Sequence, residues 1–341
     1  MNQTDTVDHA AQAVDEALYR GEDGQAVRQT TAAPVVHRHL RLLDIGPGDS
    51  ILEIGTGSGY SAAIIAELVG PTGYVTSIDL EPGLAERAAV LHRRAGRGNI
   101  TSITADGAHG YPDHGPYDHL VAWTTPPAIP DAWINQIRPG GTLLAPVKLA
   151  DITYATAMLR ATVTADGALE KMSLHRGAYV IMDAPGRESF EADTADAQHQ
   201  RPGDEHTSYV SAEWLRGRPD DARHVLDVLL NANHTEPGPA DWPDTEHLKT
   251  WLIARNPPGL VATGIDHEIG IGIANGDHIA IIKVLPIPGI LADSPDSPAL
   301  VRLQTLTKDW QNADRRRIEE LVPAAVRKSD GWHIHAVSPG S

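Results

Sequence analysis

Short apolar runs alternate with helix-period segments through the first half of the chain. Ile51-Leu52-Glu53-Ile54 is apolar apart from one acid, Tyr74-Val75-Thr76-Ser77-Ile78-Asp79 is β-branched and ends in a carboxylate, and Ile100-Thr101-Ser102-Ile103-Thr104 leads to Asp106-Gly107. Between the first two runs, Ser61 to Val69 has the pattern of a helix. Strands alternating with helices to about Val147 predict an α/β fold, a doubly wound parallel sheet. Two later runs, Thr153 to Val163 and Leu169 to Met182, are expected to complete the sheet as an antiparallel edge. Ahead of it, Thr6 to Tyr19 interleaves alanine with acids and predicts a helix that packs on, or covers, the loop after the first strand.

Periodicity disappears between Ala184 and His206, where the chain turns polar. The expected organisation is therefore an N-terminal helical segment 1–27, a first domain 28–185, a linker 186–206 and an appended C-terminal α+β domain 207–341. In the last of these, helical runs Ser211 to Leu215, Asp220 to Asn231 and Thr245 to Ala254 precede strands at Leu260 to Thr263, Glu268 to Ile273, His278 to Val284 and Trp332 to Val337. Turns at Asn275-Gly276 and Asp330-Gly331 predict hairpins, and Ala299 to Leu321 reads as one long helix.

Composition narrows the classes. A chain of 341 residues suits a catalytic domain with one appended domain, and its cores must rest on Leu, Ile, Val and seven tryptophans, because there is a single Phe. No stretch of about eighteen apolar residues and no basic-then-apolar leader at Met1 occur, which predicts a cytoplasmic protein with no membrane partner. The absence of cysteine excludes disulfides, thiolate metal sites and cysteine nucleophiles. His206, His224, His234 and His247 lack ligand-like spacing, so no metal is expected. A net charge of −17 repels phosphate backbones and argues against a nucleic-acid partner. Arg93-Arg94 and Arg315-Arg316-Arg317 are the dense positive spots; the first reads as a solvated helix face, the second either as another or as a surface for an acidic peptide leader.

The chemistry concentrates in Glu53-Ile54-Gly55-Thr56-Gly57-Ser58-Gly59-Tyr60. A strand that turns sharply into a helix while its backbone lies against a ligand needs residues without a Cβ, and Gly55, Gly57 and Gly59 supply them. Dinucleotide loops space their glycines differently and carry no acid at the position of Glu53. A cofactor with a cationic sulfonium and an ammonium suits that acid, and S-adenosylmethionine is such a cofactor. Asp79, twenty residues past Gly59 and followed by Leu80, stands where a carboxylate can accept both ribose hydroxyls, and Asp106 with Gly107 where one can take the adenine amino group. Each acid alone reads equally as an N-cap or a solvated loop residue; three strand tips in this order read as one nucleoside site.

Residues from about 28 to 150 resemble the protein-L-isoaspartate O-methyltransferase family. The resemblance runs through Leu42-Leu43-Asp44-Ile45-Gly46-Pro47-Gly48-Asp49, the glycine loop, Asp106-Gly107, Pro116-Tyr117-Asp118 and Arg138-Pro139-Gly140-Gly141-Thr142-Leu143. It implies a Rossmann-like class I methyltransferase using S-adenosylmethionine. The segment Ala132-Trp133-Ile134-Asn135-Gln136 is similar to the variants that accompany lanthipeptide, lasso-peptide or graspetide maturation, which implies methylation of an Asp in an already cyclised ribosomal precursor peptide. The ester then closes to a succinimide (aspartimide), which water opens to Asp or isoAsp. One departure bears on the acceptor: the family's Ile-Ser-Ala-Pro-His is Thr31-Ala32-Ala33-Pro34-Val35 here, with Ala32 at the serine position.

A carboxylate is already a nucleophile at neutral pH, so the enzyme must mainly position it, and no general base is required. Thr30, Thr31 and Ala32 form the expected substrate-positioning segment, although the two threonines read equally as caps of the following helix. Gln29, Trp123 and Thr124 are placed with the cofactor-binding residues, and His37 and His39 are read as bland. The leading expectation is an Asp O-methyltransferase of a constrained ribosomal peptide. Its competitors are isoaspartyl protein repair and a non-catalytic protein that kept the fold; the oligomeric state is open.

Overall fold

The structure is a computed structural model, and it describes residues 3–21, 23–27, 30–182, 195–200, 207–242, 244–265, 268–284 and 288–337. Gln29 and most of the expected linker, 186–194 and 201–206, lie outside the described residues.

The chain opens with α1 (Gln3–Gln12) and α2 (Ala33–Leu40), and then enters the sheet through β1 (Ser50–Ile54), α3 (Tyr60–Val69), β2 (Tyr74–Asp79), α4 (Pro82–Arg94), β3 (Ile100–Thr104), β4 (Tyr117–Ala122), α5 (Asp131–Gln136) and β5 (Ile137–Lys148). β6 (Thr156–Val163) and β7 (Leu169–His175) follow. The strand order is β3-β2-β1-β4-β5-β6-β7. β1 to β5 pair in parallel and β6 joins β5 antiparallel, as the alternating pattern predicts. The order reverses between β1 and β4, and in such sheets ligands bind beyond the carboxyl ends of the strands at that switch point.

The second half contributes β8 (Ala197–Gln200), β9 (Thr207–Ser211), α6 (Pro219–Asn231), β10 (His234–Pro237), α7 (Asp244–Arg255), β11 (Leu260–Ile265), β12 (Glu268–Ala274), β13 (Ile279–Lys283), β14 (Gly289–Ala292) and α8 (Pro298–Asn312). Its strands form a seven-stranded sheet, β10-β14-β13-β12-β11-β9-β8, with every neighbouring pair antiparallel. A separate hairpin, β15 (Val322–Lys328) and β16 (Gly331–Val337), ends the described chain. The two sheets share one apolar cluster: Leu52, Ile129, Trp133 and Val147 of the first half belong with Leu248, Trp251, Trp310 and Ile334 of the second. Among the described residues no helix is long and apolar enough to cross a membrane.

Several elements differ from expectation, among them the helical run expected from Ser211, where Ser211 instead ends β9 and only Glu213–Leu215 forms a 3-10 turn. The helix expected over Thr6–Tyr19 ends at Gln12, because the Asp15 carboxylate accepts the amide of Ala17 (3.0 Å) and starts a separate 3-10 turn, Glu16–Tyr19. That turn still covers the glycine loop: Tyr19 is buried against Tyr60 and His92, and Arg87 donates to both Tyr19 O and Ser58 O. The run Leu169–Met182 breaks after His175, where α2 takes over the chain: Arg176 O accepts from Arg38 Nη2 and binds His39 Nε2. Residues 179–182 then run beside the end of β4, Thr125 N donating to Val180 O (2.8 Å) and Met182 N to Thr125 O (2.7 Å). The helix expected to Leu321 stops at Asn312, since Asp314 and Arg315 have left-handed backbones, so Arg315 to Arg317 lie beyond it. Within the expected linker, Ala197–Gln200 is strand β8, paired with β9.

His39 fastens this arrangement. It is fully buried, with Nδ1 hydrogen-bonded to the Tyr179 hydroxyl and Nε2 to Arg176 O at 2.9 Å. Burial lowers its pKa from 6.5 to about 4. A depressed histidine binds its proton more weakly folded than unfolded, so its contribution is complete above pH 6.5 and is lost as pH falls toward 4. The melting temperature is expected to drop between pH 6.5 and pH 4. His39→Gln should flatten that drop without abolishing it, because His37, His92, His119, His175 and His247 are lowered in the same direction by burial. Thermal melts at three pH values test this, and an identical slope in His39→Gln would remove the assignment.

Candidate active site

The loop from β1 to α3 carries three glycines at φ of 92°, 51° and 88°, at Gly55, Gly57 and Gly59. L-residues rarely adopt this backbone, which explains their spacing. At Gly59 an added Cβ would also lie 3.0 Å from both Ala88 Cβ and His92 Nε2. The loop is tied to the tip of β2: Gly55 N and Thr56 N donate to Ile78 O, and Gly57 N donates to Asp79 Oδ2 at 2.9 Å. Asp79 Oδ1 accepts the amide of Glu81 (3.0 Å). Each oxygen keeps further acceptor capacity, so the carboxylate is both loop anchor and candidate hydroxyl acceptor. Leu80 beside it is half-buried.

Glu53 occupies a different place from the one expected. It is wholly buried, and its carboxylate accepts from Ser61 Oγ (2.5 Å), Ser77 Oγ (2.6 Å) and Trp123 Nε1 (2.9 Å). Burial pushes its pKa up; the three hydrogen bonds pull the other way, and Asp79 adds to the rise. The side chain thus holds β1, α3, β2 and the end of β4 together from beneath the loop. Thr56, Ser58 and Tyr60 also turn inward: Thr56 Oγ1 meets Ser77 Oγ (2.7 Å), Ser58 Oγ accepts the Tyr60 amide, and the Tyr60 hydroxyl meets His37 Nε2 (2.9 Å). Burial raises the Tyr60 phenol to about 12. At these positions the backbone, and not the side chain, is what a ligand can meet.

Asp106 and Gly107 follow β3. The Asp106 carboxylate accepts the amide of Ala108 (2.9 Å), the capping role, which uses one of its oxygens. Gly107 sits against β1, where a Cβ would stand 2.7 Å from Ile54 Cγ2. Trp133 Nε1 donates to Gly107 O (2.7 Å), and Gln136 bonds Tyr111 N and His109 O, so α5 fixes this loop. Trp123 is buried against Tyr179 and committed to Glu53, while Thr124 Oγ1 donates to Val180 O (3.2 Å). The structure therefore gathers the glycine loop, Asp79, Asp106, Gly107, Trp123 and Thr124 at the switch point.

The acceptor segment leads into α2. Ala32 is the N-cap and is exposed, with no side-chain capping bond, so neither threonine caps this helix. Thr31 is half-buried, and Thr30 Oγ1 is buried with no partner. Ser61, Ser77, His37 and Trp133 were not legible as site residues. The signal for Ser77 is the parallel register, which sets it beside Glu53, and that register is invisible without the sheet.

A doubly wound sheet with a glycine loop and carboxylates at its switch point is the Rossmann-like arrangement that holds a nucleoside cofactor. The family model for protein-L-isoaspartate(D-aspartate) O-methyltransferase matches residues 1–184, more than half of the chain. The chain is similar to the protein-L-isoaspartate O-methyltransferase of Ignicoccus hospitalis, 41% identical over 35% of this chain and 57% of that protein. It is also similar to that of Hyperthermus butylicus, 35% identical over 49% of this chain and 72% of that protein. A solved protein-L-isoaspartate O-methyltransferase structure overlaps 96% of this chain and 94% of its own at 17% identity, with a TM-score of 0.49. The chain belongs to the protein-L-isoaspartate(D-aspartate) O-methyltransferase family. Members of that family are carboxyl O-methyltransferases that use S-adenosylmethionine. The chain spans between 55% and 64% of the length of the first three curated relatives it matches.

Asp79→Asn keeps the size and removes the charge. It is expected to weaken binding of S-adenosylhomocysteine about ten- to hundredfold, the worth of hydrogen bonds to an ionised group. Titration calorimetry measures this, and an unchanged dissociation constant in a folded variant would show that Asp79 only anchors Gly57.

Proposed function

We propose that this protein is an S-adenosylmethionine-dependent methyltransferase that esterifies a peptide carboxylate, with the isoaspartyl residue of a protein or peptide as acceptor. The observation that carries the reading is the left-handed glycine loop bonded to Asp79 at the switch point. Family membership and the descriptions of the relatives support the acceptor. The site fits the cofactor: positive-φ glycines leave a bare backbone cradle, Asp79 retains acceptor capacity for hydroxyls, and Asp106 Oδ2, 3.8 Å from His109 Nε2, accepts no hydrogen bond from the described residues. When bound, S-adenosylmethionine supplies an electrophilic methyl group on a sulfonium.

The chain's own part is placement. An acceptor carboxylate is ionised at neutral pH and needs no proton removed. Thr30 Oγ1, buried and unpartnered, donates to that carboxylate and orients it, two residues before Ala32, which stands at the family's serine position without a hydroxyl. Trp123, at the end of β4, is buried against the ring of Tyr179, 5.9 Å between centroids. Orientation of this kind supplies a large share of such a rate.

A second reading, methylation of an ordinary Asp in a cyclised ribosomal peptide, has two observations in its favour. Ala32 is exposed without the family's hydroxyl, and residues 185–341 lie beyond the family match, which leaves both acceptor selection and substrate recruitment open to change.

Incubation with cofactor and three acceptors, an isoaspartyl peptide, its normal Asp counterpart and a cyclised Asp-containing precursor, followed by mass, decides between them. Methyl gain on the isoaspartyl peptide is expected; gain only on the cyclised precursor, with later loss of methanol, would move the conclusion to the second reading, and no transfer would end both. Thr30→Val should raise the acceptor KM roughly tenfold, about one charged hydrogen bond, and leave cofactor affinity within twofold. Steady-state kinetics check it, and an unchanged KM removes Thr30 from the acceptor site.

A further inference from the structure

The loop between β4 and α5 is held at two points by segments distant in sequence. At one, Thr125 exchanges main-chain bonds with Val180 and Met182, and its Oγ1 donates to Tyr179 O (3.1 Å). Four residues on, Ile129 N donates to Trp332 O (3.0 Å) and Trp332 N to Ile129 O (2.9 Å), an isolated antiparallel bridge to β16. Between the two points Pro126 and Ala128 are buried and Pro127 is exposed. The loop thus offers a short, proline-stiffened apex between two clamps.

The second clamp comes wholly from the C-terminal hairpin, and its fit is close. Gly331 has φ of 131°, and a Cβ there would stand 2.4 Å from Ile129 O, so only glycine permits the approach. Arg327, paired with Trp332 across the hairpin, reaches Asp131 in the first turn of α5 at 2.8 Å. The ring of Trp332 lies 6.0 Å beneath the same guanidinium. Ile334 and Ala336 of β16 join the cluster that contains Ile129 and Trp133, so the hairpin is rooted in the core. α5 in turn carries Trp133, which holds Gly107 O.

We propose that the β15–β16 hairpin is a positioning element of the active site. It fixes the loop after β4 as the wall against which the acceptor carboxylate is presented, so the last strands of the chain set acceptor affinity. The inference rests on the reading that this loop faces the acceptor. Gly331 and Trp332 act through Ile129 and touch neither reacting atom; the ion pair of Arg327 and Asp131, with side-chain exposures of 62% and 40%, tunes the contact more weakly.

Gly331→Ala in the full chain tests this, with hydrogen exchange and kinetics read together. Amides of residues 124–131 should exchange roughly tenfold faster, residues 51–60 should be unchanged, and S-adenosylhomocysteine affinity should stay within twofold. Acceptor KM should rise roughly tenfold, the scale on which misplaced positioning groups act. Arg327→Asp, a surface change that places like charges opposite each other, should raise acceptor KM about threefold, and Asp131→Arg/Arg327→Asp should restore it. Faster loop exchange without a change in KM would make the hairpin merely structural, and failure of the charge swap to rescue a raised KM would place the Arg327 effect elsewhere; either overturns the proposal. If the unaltered protein methylates no carboxyl acceptor, the functional reading and the acceptor role fall together, and the exchange data, which need no acceptor, tell that failure from a failure of the clamp.

Discussion

One buried carboxylate organises the catalytic half of this molecule. Glu53 lies at the end of β1 with no exposed surface, and three donors reach it from three other elements: Ser61 in α3, Ser77 in β2 and Trp123 at the end of β4. Taking an ionised carboxylate out of water costs several kcal/mol, and the three bonds offset it only when all are made. Losing one donor would forfeit about 1–3 kcal/mol and loosen an element. The site therefore tolerates one arrangement of four elements. The glycine loop, which begins two residues after Glu53, inherits its path from them.

What the sequence showed of this depended on distance along the chain. The parallel sheet was legible because each of its strands is a short run read locally, and β2 falls on the expected residues, Tyr74 to Asp79. The positive-φ glycines were legible for the same reason. The partners of Glu53 were not, since Ser61 and Ser77 are ordinary residues until the sheet brings Ser77 beside Glu53. Expectation placed Glu53 toward a cation; the structure gives it to protein donors. Boundaries failed where a side chain or a carbonyl contact intervened, at Asp15 after α1 and at Arg176 after β7. β8, β9, β10 and β15 escaped notice because none of them is a continuous apolar run, unlike Leu260 to Thr263.

The second half looked, as a sequence, like an attachment. Its physical relation to the first is closer, because Trp251, Trp310 and Ile334 share a core with Leu52 and Trp133. A shared core couples stability, and it brings C-terminal backbone to the carboxyl ends of the first sheet's strands. The bridge from Ile129 to Trp332 lies seven residues past the end of β4, so the second half reaches the loop that the proposed function sets beside the acceptor. In a fold where function resides in the loops beyond the strands, such a connection changes specificity without altering the cofactor cradle.

The polar groups around the cradle are bonded to one another. Thr56 is spent on Ser77, Ser58 on the Tyr60 amide, Tyr60 on His37, and Trp123 on Glu53. None is arranged to take a proton from a nucleophile, and Tyr60, raised to about 12, stays neutral. The four side chains named offer no strong base, and a carboxylate acceptor would arrive already ionised. What such an acceptor lacks is orientation, the part that the proposed reading gives to the hydroxyl of Thr30, buried without a partner ahead of α2. A loop fixed by its own backbone, a clamped wall and the buried hydroxyl of Thr30 are the features that the proposed carboxyl methylation would draw on.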